Sequence, residues 1–205
     1  MPRIKVKRTS TVTDMTAMCD VAALLLTFFI LTATARQPEP LAVSTPSSTY
    51  EFKVPVENNA ILTIGQKKVF FEVAGQKVRA RTLELMGEQY KISFNQEEKN
   101  RFSVIGTFGV PMGSLKQFIN MPGGDRMNPG VQTGIPTDST DNQLNAWVLN
   151  ARKATKELNN VDMRISIKGD AKEEYPTVKK VVDILQKQNV NKFLLVTNSE
   201  AKKKN

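Results

Sequence analysis

Asp20 is the residue whose type and position promise chemistry. It is the only charge in the run from Met15 to Ala35, MTAMCDVAALLLTFFILTATA. As a helix this run spans about 31 Å, close to the hydrocarbon thickness of a bilayer. An ionised carboxylate at that depth costs about 2.5–3.5 kcal/mol by insertion scales. Such an acid faces a protein partner or a water-filled path, and it commonly carries protons. The plainer reading is a shallow Asp20 that reaches the headgroups. At about 100° per residue, Thr16, Thr27 and Thr34 fall on the same helix face as Asp20. Small Ala17 and Ala23 flank that face, while Phe28, Phe29 and Ile30 point elsewhere. Small residues let another helix approach, and threonines can hydrogen-bond across the gap. Alternatively, each hydroxyl bonds a carbonyl of its own helix.

The flanks say which way such a helix lies. Arg3, Lys5, Lys7 and Arg8 precede Asp14 without an acid among them. Positive flanks stay in the cytoplasm, so the N-terminus is expected inside and the rest outside. Because this cluster abuts an apolar run, it reads as a topology signal and not as a nucleic-acid patch. Asp14 reads as the helix N-cap, or as a residue lining a cytoplasmic mouth. The rival to a span is a cleaved signal peptide, with Val21–Leu31 as its core and Ala33-Thr34-Ala35 as its cleavage site. Asp20 would then open the hydrophobic region with a charge, which weakens that reading.

Composition removes other chemistry. The chain of 205 residues has no histidine, so imidazole relays, His-dependent triads and His-ligated zinc are excluded. Its one cysteine, Cys19, permits no intrachain disulfide and no cysteine metal cluster. It reads as a small apolar filler more readily than as a reactive thiol. No cofactor and no metal are expected. The adjacent acids Glu97-Glu98 and Glu173-Glu174 read as solvated, and no catalytic constellation stands out.

The elements after the apolar run follow from pattern. Pro38, Pro40, Pro46 and Pro55 suggest an extended, mostly unpacked linker, with strand-like patches at Leu41-Ala-Val and Tyr50–Val56. Ala60–Ile64, a Gly65-Gln66 turn and Lys67–Val73 read as a β-hairpin. Met163–Ile167, Tyr175–Gln188 and Lys192–Thr197 read as strand, amphipathic helix and strand, hence parallel strands. A helix over Asp141–Leu158, capped by Ser139 or Asp141, carries Leu144, Trp147 and Val148, with Trp147 in the core. Arg81–Leu85 reads as a short helix and Lys91–Phe94 as a short strand. Gly106–Thr140, rich in Gly, Pro, Asn and Met, reads as irregular. It contains no phosphate-loop pattern.

The segment Asp14–Leu31, with Asp20-Val21, Leu24-Leu25-Leu26 and Phe28-Phe29, resembles the membrane motif of the ExbD/TolR family of biopolymer transport proteins. A second likeness covers Met163–Thr197, including Asp170 and Tyr175. With the hairpin and the Asp141–Leu158 helix, the resemblance covers most of the chain. It implies an α+β fold: a single N-terminal transmembrane helix, a Pro-rich linker, and a small extracytoplasmic α/β domain whose mixed sheet packs on two helices. The implied division is a cytoplasmic basic tail 1–14, a span 15–35, a periplasmic linker 36–59, a periplasmic domain 60–198 and a basic tail 199–205. About 82–140 looks like an insertion, either a docking element or a surface loop. The resemblance further implies a non-enzymatic inner-membrane motor subunit. Asp20 would handle protons inside a ring of ExbB-like subunits, as a homodimer, and would drive a TonB-like transducer. A TolR-like cell-envelope role is implied equally well, and a secreted binding module is the outcome if the first 35 residues are removed.

Overall fold

The apolar run forms one helix, α1, over Met15–Thr32. The Ala33 N–H still donates to the Phe29 carbonyl at 2.9 Å, so the last turn is closed. Every residue of α1 is exposed, and all but a few are apolar. Among the described residues it is the one helix long and apolar enough to cross a membrane. The computed structural model describes residues 15–33, 40–41, 43–48, 55, 57–128, 130–138, 141–171, 173–196 and 198–199. Asp14, Thr34, Ala35 and nearly all of the Tyr50–Val56 patch lie outside these. The chain divides into two compact units, Met1–Gln37 and Pro38–Asn205.

In the second unit, β2 (Asn59–Gly65) and β3 (Lys68–Val73) form the expected antiparallel hairpin. The turn falls one residue later than expected, at Gln66-Lys67, with φ of 54° and 59°. Two positive φ values match the right-handed twist of a hairpin. Each costs a non-glycine residue roughly 1–2 kcal/mol, so the turn needs outside support. Glu173 supplies it: the Lys67 N–H donates to both carboxylate oxygens, at 3.2 Å each. The Glu173-Glu174 pair is therefore engaged and not merely solvated; Lys67 Nζ also pairs with Glu174 at 3.5 Å.

Strands β4 (Arg164–Gly169) and β5 (Phe193–Leu195) complete a four-stranded sheet in the order β3-β2-β4-β5. The hairpin is antiparallel, and β2–β4 and β4–β5 are parallel. The expected strand–helix–strand unit is present, with α6 over Tyr175–Lys187. Helix α5 spans Gln143–Asn159. Its cap is Asn142, whose side chain accepts the Asn145 N–H at 3.0 Å, in place of the expected Ser139 or Asp141. Asp141 accepts instead from the Gln143 side chain at 2.6 Å.

The middle of the chain departs most from expectation. The short helix expected at Arg81–Leu85 is the centre of α2, Gln76–Tyr90. The expected boundary at Thr82 therefore falls inside a helix. No strand forms at Lys91–Phe94. Lys91 closes α2 in the left-handed region, and the Ile92 N–H donates back to the Gly87 carbonyl at 2.9 Å. A Cβ at Gly87 would lie 2.6 Å from the Ile92 carbonyl oxygen, so only glycine admits this reversal. Helix α3 (Gln96–Ser103) begins with a capping box in which Asn95 and Glu98 each accept the other's N–H. Glu98 is buried, contrary to its solvated reading. Glu97 is exposed and pairs with Arg101. Within the stretch expected to be irregular, α4 spans Met112–Asn120 and a 3₁₀ turn spans Asp125–Met127.

This middle region is not a surface loop, because it supplies core. Phe102 and Phe108 are buried against Phe71 and Trp147. The Phe108 and Trp147 rings meet edge-on at 4.8 Å, and Phe102 stacks on Trp147 at 6.0 Å. Helix α5 buries residues around most of its circumference, from Leu144 and Trp147 to Asn150 and Thr155. Arg81 binds Glu84 and Glu157, and Glu84 binds Lys99, which ties α2, α3 and α5 together.

Part of the proline-rich stretch also packs on this unit. Leu41 and Thr45 are buried, and the Ala171 N–H donates to the Ser44 carbonyl at 2.8 Å. Two short strands, β1 (Ser47–Ser48) and β6 (Asn198–Ser199), pair in parallel.

Candidate functional site

The candidate site lies on α1. Asp20 is the sixth residue of the helix, about 7.5 Å from its start at 1.5 Å per residue. Alanine, leucine and methionine around it are strong helix formers, so the acid is held on a regular backbone. Thr16 stands one turn before Asp20 on the same face. Thr27 stands two turns after it, about 10 Å away along the axis. That separation forbids a direct Asp20–Thr27 hydrogen bond. The Thr27 hydroxyl donates to the Leu24 carbonyl at 2.9 Å, and Thr32 does the same to Phe28 at 2.8 Å. Within one copy of the chain, Thr27 is thus satisfied by its own helix. Thr34 lies outside the described residues. Cys19 is a free, exposed thiol beside Asp20.

Such an arrangement can do one kind of chemistry. A lone carboxyl on an apolar helix exchanges a single proton. Its charged form prefers water or polar partners, and its neutral form tolerates apolar walls. Among the described residues no group of three His, Cys, Asp or Glu could hold a metal ion.

In the second unit the charged clusters are structural. Glu84 sits below the usual carboxylate range because Lys99 and then Arg81 hydrogen-bond its charged form. Burial pushes Glu98 up, but the Asn95 N–H, Asn120 and Lys116 outweigh it, and the net direction is down. Burial lowers Arg79 against the raising effect of Glu72. Arg79 donates to the Ile105 carbonyl, and Thr107 donates to Glu72 at 2.6 Å. These bonds join β3 and α2 to the loop after α3. The capping box was readable as Asn95-x-x-Glu98. Arg81-x-x-Glu84 is likewise a local helical pair, whereas the remaining hydrogen bonds join residues 15 or more positions apart and leave no local pattern.

A family model described as biopolymer transport protein ExbD/TolR matches residues 7–200. The chain belongs to the ExbD/TolR family. The match takes in α1, the sheet and the middle region together, so both units are part of one ExbD/TolR chain. No curated protein and no solved structure matched it. The family and the apolar helix together support a single-pass inner-membrane transport protein.

Proposed function

We propose that this ExbD/TolR protein is a proton-gradient-driven motor subunit of the inner membrane. Asp20 takes up and releases the proton. The observation that carries this reading is the placement of one carboxylate in the apolar helix α1 of an ExbD/TolR chain. A neutral Asp20 can face apolar walls and a charged one cannot, so proton flow biases the position of α1 against its neighbours. An ExbB-like ring is the partner that would surround α1, with the chain acting as a homodimer. Thr16, Thr27 and Thr34 are the helix-face partners, and Thr27 would trade its Leu24 bond for one across the interface. The basic residues before Asp14 support a cytoplasmic N-terminus and a periplasmic second unit. That unit would pass the motion to a TonB-like transducer for transport across the outer membrane.

The test is energy-dependent uptake in cells carrying Asp20→Asn, with membrane abundance of the protein measured alongside. Asn keeps size and polarity but cannot ionise. Loss of uptake at normal abundance is expected. Full uptake with an intact envelope would sink the assignment of Asp20. Normal uptake with a leaky envelope would redirect the same motor to a TolR-like role.

A further inference from the structure

A cavity of about 300 Å³ opens where the hairpin, the start of the second unit and the loop after α4 meet. Its charged lining is Lys68 and Arg126, and no acid lines it among the described residues. Lys68 and Phe70 stand on the face of β3 opposite Val69 and Phe71, away from the aromatic cluster. Neither cation has a carboxylate partner among the described residues. Lys68 Nζ makes one long bond, 3.4 Å, to the Gln132 carbonyl. Arg126 spends Nε and Nη2 on the Phe118 and Ile119 carbonyls at 3.2 and 2.9 Å, and its ring-facing side lies over Phe118. Those bonds fix the guanidinium, and among the described residues Nη1 makes no hydrogen bond.

The walls are built, not incidental. Gln132 is buried, and both ends of its amide are used: Oε1 accepts the Gly109 N–H at 2.8 Å and Nε2 donates to the Arg126 carbonyl at 3.1 Å. Its side chain therefore sets the spacing of the loop and does not neutralise the cations. Gln66 and Asn128 add amide groups, while Leu41, Phe70 and Met127 supply an apolar side. Two cations with no carboxylate partner among the described residues, beside an apolar wall, suit a dianion carried on an apolar body. A phosphate monoester carries about −1.5 to −2 at pH 7 and presents three acceptor oxygens. A monocarboxylate balances one cation and leaves the other unmatched. The volume is at the small end of ligand sites, about 300–1,000 Å³.

We propose that this cavity binds the phosphate of a small phosphate monoester, with Lys68 and Arg126 as its cationic ligands. The phosphate could be free or borne by a lipid, and the experiment separates these sources. Full-length protein in a neutral detergent is titrated by calorimetry with phenyl phosphate, with short-chain phosphatidic acid and with phenylacetate. Saturable binding of a phosphate probe is expected, about tenfold weaker in Lys68→Gln and restored in Lys68→Arg. Lys192→Gln, an exposed lysine outside the cavity, should leave it unchanged. Tighter binding of phenyl phosphate assigns a free ester, and tighter binding of phosphatidic acid assigns a lipid. The proposal is overturned if neither phosphate probe saturates at millimolar concentration. It is also overturned if phenylacetate binds as tightly, or if Lys192→Gln weakens binding as much as Lys68→Gln.

Discussion

Phe71 and Phe108 exchange both of their main-chain hydrogen bonds, at 2.8 and 3.0 Å, and set their rings edge to face at 6.2 Å. One belongs to the outer strand of the hairpin and the other to the middle region, 37 positions on. Ile135 from the same region continues the cover, since its N–H donates to the Val69 carbonyl at 2.9 Å. The free edge of β3 is thereby closed by the chain itself. An uncovered edge would offer its unpaired N–H and C=O groups to other strands.

Truncating Phe108 should therefore be costly. Phe108→Ala removes a buried ring that touches Phe71, Phe102 and Trp147. A loss of about 3–5 kcal/mol is expected from the deleted contacts and the cavity left behind. Denaturant unfolding of the full chain measures it. A loss below about 1 kcal/mol would mean that the middle region is not part of the core.

Two helical glycines should respond to alanine in opposite directions. At Gly113 in α4 an added Cβ meets nothing within 4 Å, so Gly113→Ala should stabilise by up to about 1 kcal/mol. At Gly87 in α2 the same Cβ would meet the Ile92 carbonyl oxygen at 2.6 Å. Gly87→Ala should destabilise despite its better helix propensity. Paired thermal unfolding curves read both signs, and stabilisation by Gly87→Ala would rule out the reversal after α2.

Acid should weaken the second unit through Glu84 and Glu98. Both have folded-state pKa values below the ordinary one. Their contribution is fully present above the unfolded value of about 4.3, and it is lost as pH falls through the lower folded value. Unfolding free energy followed down through that window should fall less steeply in Glu98→Gln than in the unmodified chain. Identical slopes would show that the Asn95, Asn120 and Lys116 contacts do not favour the charged form.

The face argument on α1 can be checked with a pair of threonines. Thr27 shares the Asp20 face, whereas Thr32 points about 120° away. Both hydroxyls bond their own helix in one copy of the chain. Thr27→Val should weaken energy-dependent uptake more than Thr32→Val. Equal effects would remove the shared face from the mechanism and leave Asp20 alone.

Retention of α1 is a separate question with a simple readout. A chain anchored by Met15–Thr32 keeps that helix in the mature protein. The intact N-terminal mass measured on membrane-extracted protein should include it. A mature chain beginning near Arg36 would identify the run as a cleaved signal and make the second unit a secreted module.

Local pattern determined the elements whose periodicity is strong. The apolar run was legible from its unbroken apolar length, the hairpin and the C-terminal strands from short apolar runs bounded by turn residues, and α5 and α6 from apolar residues at helical spacing. Asp20 stood out for a related reason: a single charge is conspicuous against an apolar background. The tertiary structure decided the middle region. Helix α2 is sparsely apolar, and α4 lies in a stretch whose Gly, Pro and Asn read as loop; α2 packs on α5 and α3, and α4 packs on α3, which no short window contains. The burial of Glu98, the support of the Gln66-Lys67 turn by Glu173 and the placement of Lys68 and Arg126 on one cavity join residues from separate elements. Such contacts depend on how the elements pack, and a sequence read along its length carries no local mark of them.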